Sequence, residues 1–505
     1  MELYLTVASW HLLNDNQKVH SCEVLLGRIG TMARGKLQFL SSDEIRRIHD
    51  TSLRVLEEVG IALESKTVTK LLLENGCTAS KDGERVLIPG AVVKSALSKA
   101  PKSILLASKD GKHDIRIPDH ERLFVSTGGE GVYIKDLLTG ETHTPTAEDL
   151  ARFEQLTEAL PQVDFSWFLV GAQDQPSHLK GFVEMKTGFT HTRKHIQSAA
   201  ADAQEAKNII ELASIFTGGP EGLSKRPIFS AVQCPISPLT FEVGLSEGQV
   251  ELARAGIPVV SMVAAVAGMT APVTISGTLT QVNAENLASL VISQSAMKGA
   301  PWIYSSDSMP GDLKTGSIDY GALESNLLRA GAGQMGKFYG LPTMVAGVGI
   351  EGSSLLLGRP RDGVPIMVTQ ALVPSDLGSG LGGIDQAAGA SFEQLVVDAW
   401  VWDSAKEFIR SISMDDAAIS FETIRDAGYD GNFLGKRHTL TKFKQEFVAV
   451  SKPEAVFSGR GDSEPRGSLL KKAKDEVKRI LSSQPEPAAS RDELEQMDAL
   501  LKKLM

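Results

Sequence analysis

Eight short apolar runs, each trailed by a stretch of helical period, constrain this chain more than any other feature of its sequence. The runs are LFVS (123–126), FSWFLV (165–170), HIQSA (195–199), PIFSAV (227–232), PVVSMV (258–263), PWIYS (301–305), PTMVAG (342–347) and GSGLGG (378–383). Helical periodicity fills the intervals Ala147 to Leu160, Glu205 to Phe216, Thr274 to Lys298, Gly321 to Phe338 and Ser391 to Arg410. Alternating strand and helix build parallel sheet from βαβ units, and eight repeats are the number that closes a barrel. No GxGxxG element follows the first run, which disfavours an open dinucleotide-binding sheet. The expected fold is therefore α/β, a (β/α)8 TIM-type barrel over residues 122–450.

The flanks read differently. Residues 1–38 are expected to be a disordered extension, because helical period only begins after them. Residues 39–121 alternate short helix-like and strand-like segments with turns at Asp82-Gly83 and Asp110-Gly111, an N-terminal α+β cap expected against one end of the barrel. Ser41 and Glu44 form a capping box that opens a helix ending at Gly60. Residues 451–505 read as a linker and helices, with a Lys-rich helix from Leu469 to Leu481 and a solvent-exposed one from Arg491 to Leu504.

Charge and cysteine usage remove several classes of function. A net charge of −10 over 505 residues offers no concentrated basic face for nucleic acid. The 3 cysteines, Cys22, Cys77 and Cys234, are too few and too scattered for a disulfide framework, so a cytoplasmic location is expected. No apolar run reaches the ~18 residues that a membrane span requires. His191 and His195 are the one close histidine pair, and metal binding is not expected from them. Nucleophile elbows, phosphate loops and Cys-His pairs of hydrolases and kinases are missing from the sequence.

Barrel enzymes place their chemistry just beyond the C-terminal ends of the strands. Polar groups there are Glu130, Gln173, Asp174, Gln197 or Ser198, Gln233, Asp307, Glu351, Asp385 and Gln386. An acidic, amide-lined mouth suits a cationic or amine substrate, and aromatic faces attract a quaternary ammonium by ~0.5 to 2 kcal/mol each. Trp167, Phe168 and Trp302 lie near strand ends, as do Tyr133 and Tyr304, the two preferred here. Thr270 and Pro272 precede the long helix after the fifth strand, whose N-terminus would then suit an anionic substrate end.

An ordered set of segments carries a family resemblance: GGEGVYIKDLLTGE (128–141), PISPL (235–239), AGMTAPVTISGTL (267–279), NAENLA (283–288), GAPWIYSS (299–306), LKTGSIDYGALE (313–324), YGLPTMVAG (339–347) and FEQLVVD (392–398). The chain resembles the trimethylamine methyltransferase family over nearly everything from Phe39 to Leu481. The resemblance implies a barrel that binds a methylated amine and passes a methyl group to Co(I) of a corrinoid protein. No DxHxxG cobalamin loop occurs in the sequence, so the cobalamin is expected on that partner, with none bound directly. Members acting on trimethylamine carry pyrrolysine after the seventh strand, where this chain has ordinary residues near Gly349 or Ile350. A quaternary amine such as glycine betaine becomes the expected substrate. Glu351 and Asp307 are the expected catalytic residues, and Glu130, Tyr133, Gln233, Tyr304 and Asp385 the expected substrate contacts. A homo-oligomer is expected. Trimethylamine transfer without pyrrolysine, a barrel lyase and a non-catalytic betaine-binding relative remain the competing readings.

Overall fold

The computed structural model describes residues 35–119, 122–350, 363–409, 412–429, 431–446, 468–483 and 486–505. At its centre lie β1 (Phe124–Thr127), β2 (Ser166–Trp167), β3 (Ile196–Ala199), β4 (Phe229–Gln233), β5 (Val259–Val263), β6 (Trp302–Ser306), β7 (Thr343–Gly347) and β8 (Leu377–Leu381). Their order is β1-β8-β7-β6-β5-β4-β3-β2 in one 8-stranded sheet. Parallel bridges from Ser126 to Phe165 and from Gly131 to Val170 close the ring. Each expected strand is present. β2 is shorter than its apolar run, while β4 continues one residue further, to Gln233.

The helices that follow the strands are α1 (Ala147–Ala159), α2 (Ser177–His191), α3 (Ala203–Ser214), α4 (Val243–Arg254), α5 (Ile275–Ala296), α6 (Leu323–Phe338), α7 (Gly363–Leu372) and α8 (Phe392–Ile409). With helices outside and side chains inside, β4, β5 and β6 are buried at every residue. Near-continuous apolar strands are what two covered faces demand. Alternation sorts their side chains. Phe124, Phe165, Val232, Val260, Met262, Ile303, Met344 and Leu377 fill the barrel interior, while Phe229, Val259, Trp302 and Tyr304 belong to the layer beneath the helices.

One end of the barrel is plugged. A hairpin of Ile104–Leu106 and Ile115–Ile117 inserts its isoleucines and Leu106 into the interior cluster. Ala107 fixes it below the strand starts, its N–H on Pro227 and its carbonyl 3.0 Å from His195 Nδ1. Access to the interior is therefore from the C-terminal end of the strands.

The N-terminal cap opens with a helix at Ser42–Arg54, with the capping box of Ser41 and Glu44 formed, which continues to Val59 and ends on Gly60 at φ 76°. Its helices flank α5. The hairpin alone closes an end, a difference from the expected placement. α5 is 22 residues long and buried on nearly every side because the cap covers the face that a barrel helix ordinarily shows to water. Cap strand Ile61–Leu63 pairs in parallel with Thr240–Phe241 of the β4–α4 loop, so the cap also braces one loop of the open end.

Beyond the barrel, the helix Ser468–Ser482 packs on α8 and α1, and Arg491–Leu504 packs on α2. Met497 is fully buried, which corrects the expectation of a solvent-exposed last helix: its apolar stripe is spent on the barrel wall. No helix among the described residues is long and apolar enough to cross a membrane.

Candidate active site

Two small sheets build the rim of the open end. Tyr133–Lys135 pairs with Thr142–His143 and with Gly389–Ala390, which pairs with Gly383–Ile384, above β1 and β8. Val266–Ala267, Met309–Asp312 and Ser317–Ile318 form the second, above β5 and β6. The two rims are joined where Tyr320 N–H donates to Gln386 Oε1 at 2.8 Å. Asp385, Gln386 and Ala387 are left-handed in succession, at φ 52°, 61° and 63°, and Glu130 follows at φ 45°. Such backbone costs of order 1–3 kcal/mol per residue and gathers at functional sites.

Carboxylates cluster inside this rim. Asp307, one residue past β6, accepts from Tyr320 Oη–H at 2.9 Å and stands 3.9 Å from the Arg329 guanidinium, which lies against Gly347. Burial, reinforced by Asp307, holds the Tyr320 hydroxyl well above the ordinary phenol range. Across the mouth, burial raises Glu130, with Lys180 opposing the shift and Glu205 adding to it. Glu184 accepts from Ala172 N–H at 2.7 Å and lies 3.6 Å from Lys180; burial, then the charge of Glu130, pushes it up to about 7. Between the two groups sits Cys234, pushed up to about 12 by burial and then by Asp307 and Glu130. A thiol kept neutral is a poor nucleophile.

The β4 loop that carries Cys234 is held from behind. Glu285 on α5 accepts from Ser237 Oγ at 2.7 Å and from Leu239 N–H at 2.9 Å. The PISPL and NAENLA segments thus meet through one carboxylate, and both serve the shape of the mouth.

Not every expected contact lies inside it. Tyr304 is fully buried with its ring against α6, where a Cβ on Gly336 would come within 3.2 Å of it, and its hydroxyl is 3.3 Å from Asn283. Alternation along β6 turns it outwards, away from the interior. Gln233 is corrected on the same ground. It belongs to β4 and faces α4, where it lines a pocket with Leu245, Ser246 and Gln249, its amide N–H donating to Ala200 O at 3.3 Å. Tyr133 and Asp385 are brought together, with Tyr133 Oη–H donating to Asp385 at 2.5 Å and Lys135 3.4 Å away. They tie the β1 loop to the β8 loop on the rim. Glu351 lies outside the described residues.

Two inward residues carry more than the sequence reading assigned to them. Trp167 packs against the interior cluster, and a Cβ on Gly128 would stand 2.8 Å from its ring. It is the interior's indole. Gln197 pairs in register with Trp167 and Ser230 and is fully buried, with neither amide atom hydrogen-bonded. Its neighbour Ile196 faces α2 at Gly188, which leaves the Gln197 side chain pointing inwards. Sequence position had marked Gln197 as a polar group at the end of the third strand; its inward face was the missing signal.

Other expectations are rearranged. Thr274 caps α5, accepting from Gly277 N–H at 3.2 Å, whereas Thr270 accepts from Val266 N–H. Asp174 accepts from Ala147 N–H at the start of α1. His195 is buried below the site between Ala107 O and Ser230 Oγ, and burial lowers it to about 4. No group of metal-ligating side chains occurs among the described residues.

Near Gly349 the wall is tight. A Cβ at Gly349 would meet Gly380 O at 2.1 Å, and Ile350 is buried with its carbonyl accepting from Gln394. A side chain at Gly349 would collide with the backbone of β8.

The chain is similar to several known proteins. Trimethylamine methyltransferase MttB of Desulfitobacterium hafniense is 29% identical over 406 residues, covering 80% of this chain and 82% of the relative. Glycine betaine methyltransferase of Desulfitobacterium hafniense is 26% identical over 424 residues, covering 82% and 86%. The crystal structure of the Methanosarcina barkeri monomethylamine methyltransferase superposes with a TM-score of 0.46 at 11% identity, over 91% of each chain. The profile of the trimethylamine methyltransferase (MTTB) family matches residues 16–504. The chain belongs to the trimethylamine methyltransferase family.

Proposed function

We propose that this methyltransferase takes a methyl group from a small quaternary amine, glycine betaine being the leading example, and passes it to Co(I) of a corrinoid carried by a partner protein. The observation that carries the reading is the mouth itself: the carboxylates of Glu130 and Asp307 both bear on Cys234, which packs against an apolar interior plugged at its far end. A cation is drawn to the carboxylates, and Trp167 presents an aromatic surface below them.

Displacement at a quaternary ammonium needs little from the protein. The C–N bond breaks with its electron pair staying on nitrogen, so a neutral tertiary amine departs and no proton has to be supplied. Co(I) supplies the electron pair that forms the new bond to carbon. Glu130 and Asp307 hold the cation, the rim keeps water away, and the closed interior sets the direction from which an acceptor can approach. The tight wall at Gly349 favours a donor that needs no long activating side chain there. The relative named glycine betaine methyltransferase supports the same substrate class.

The test is methylation of a reconstituted Co(I) corrinoid protein, followed by absorbance, with glycine betaine, carnitine, proline betaine and trimethylamine offered separately. Transfer from a quaternary amine and none from trimethylamine is expected. Transfer from trimethylamine alone would overturn the substrate class, and silence with all four would leave a binding protein or a different donor.

A further inference from the structure

A buried primary amide with no partner is costly. Leaving a buried donor or acceptor unsatisfied is disfavoured, and Gln197 leaves both its Nε2 and its Oε1 so, at full burial. Gln233 on the neighbouring strand, turned to α4, satisfies its Nε2 on Ala200 O and leaves only its Oε1 open, whereas Gln197 leaves both amide atoms so. Gln197 instead faces the interior, level with Trp167 on β2, whose ring abuts Gly128 just past β1. Glu130 stands two residues beyond Gly128, towards the opening.

We infer that Gln197 is the subsite for the oxyanion tail of a zwitterionic methyl donor, its Nε2 donating to a carboxylate oxygen while the ammonium end sits above, between Glu130 and Asp307. The inference rests on the reading of the mouth as a quaternary-amine site and deepens it. Direction follows from the plug. With the hairpin Ile104–Leu106 and Ile115–Ile117 closing the lower end, a methyl acceptor arrives only from the rim. The transferable methyl groups must then point to the rim, and whatever else the donor carries must point down. The Gln197 amide lies on that side of β3, level with Trp167. A neutral amide suits the task, since it grips an oxyanion without the desolvation cost of a buried lysine or arginine in an interior otherwise lined by Phe124, Val260, Met262 and Ile303. A donor with no tail leaves that amide unsatisfied and binds more weakly.

Calorimetric titration of the full-length protein with glycine betaine and with tetramethylammonium tests this. Wild type is expected to bind betaine about tenfold or more tightly than tetramethylammonium. Gln197→Leu should lose that advantage with tetramethylammonium affinity held within about threefold, and Gln197→Glu should invert the preference by repelling the carboxylate. Equal binding of the two ligands by wild type overturns the inference without any variant. Parallel loss of both ligands in Gln197→Leu, or betaine binding unchanged in both variants, overturns it as well. Wild type that binds neither cation overturns the quaternary-amine reading itself, and the Gln197 subsite with it.

Discussion

Glu184 is where charge at the mouth becomes adjustable. Its carboxyl is raised from 4.5 to about 7 by burial and by Glu130, so the folded protein holds a proton there that the unfolded chain has released. Folding stability therefore falls as pH rises from about 4.5 to about 7, and the penalty is fully present above that window. For a cationic ligand the sign is opposite. Deprotonation through pH 7 adds a negative charge beside Glu130, so tetramethylammonium should bind severalfold more tightly at pH 8 than at pH 6, and Glu184→Gln should flatten the difference. A dissociation constant that does not change over that interval would show that Glu184 is not felt at the site. The residue scale is also where sequence reasoning was least informative. Glu130 and Asp307 could be marked because a carboxylate directly after a strand belongs to the open end, whichever way the strand is turned. Tyr304 and Gln233 lie within strands, where a shift of one residue changes the face, and both turn to the helices.

At the scale of elements, the turn after β8 and its small rim sheet decide how the mouth is held. Three successive left-handed residues without a glycine are backbone that L-residues adopt at a cost of roughly 1–2 kcal/mol each. Tyr133 on Asp385 and Tyr320 on Gln386 hold the turn there. Ala387→Gly relieves part of that strain and should raise stability by about 1 kcal/mol in denaturant unfolding. A loss of stability would instead mean that the alanine methyl, close to Gly129, contributes more packing than the strain costs. None of this was visible in the GSGLGG run, which announces a flexible strand and nothing about the turn that follows. Capping, by contrast, was visible. The Ser41–Glu44 box is formed because its two hydrogen bonds are local and need no tertiary partner.

At the scale of the molecule, the terminal segments brace the barrel from outside, and Lys474 also meets Asp136 of the rim hairpin. Lys109 from the cap reaches Ala488 O at 3.2 Å and lies 4.9 Å from the ring centre of Phe216, while Lys186 on α2 meets Asp498 of the last helix. Ending the chain after Ser483 strips Met497 and the apolar stripe around it from α2. The melting temperature should fall by several degrees, with betaine affinity within about twofold of wild type. An equal loss of affinity would place the C-terminal helices in the site.

The number of strands, their order and the helices between them were legible in the sequence, because hydrophobic periodicity is a local property and βαβ units connect in only one practical way. The acidity of the mouth was legible for the same reason. Tertiary structure decided the rest: which strand residues face inwards, that a hairpin of the cap plugs one end, and that Gln197 is left buried without a partner. Those depend on register and on contacts between residues far apart in the chain, and a one-residue difference in where a strand begins reverses every side chain along it.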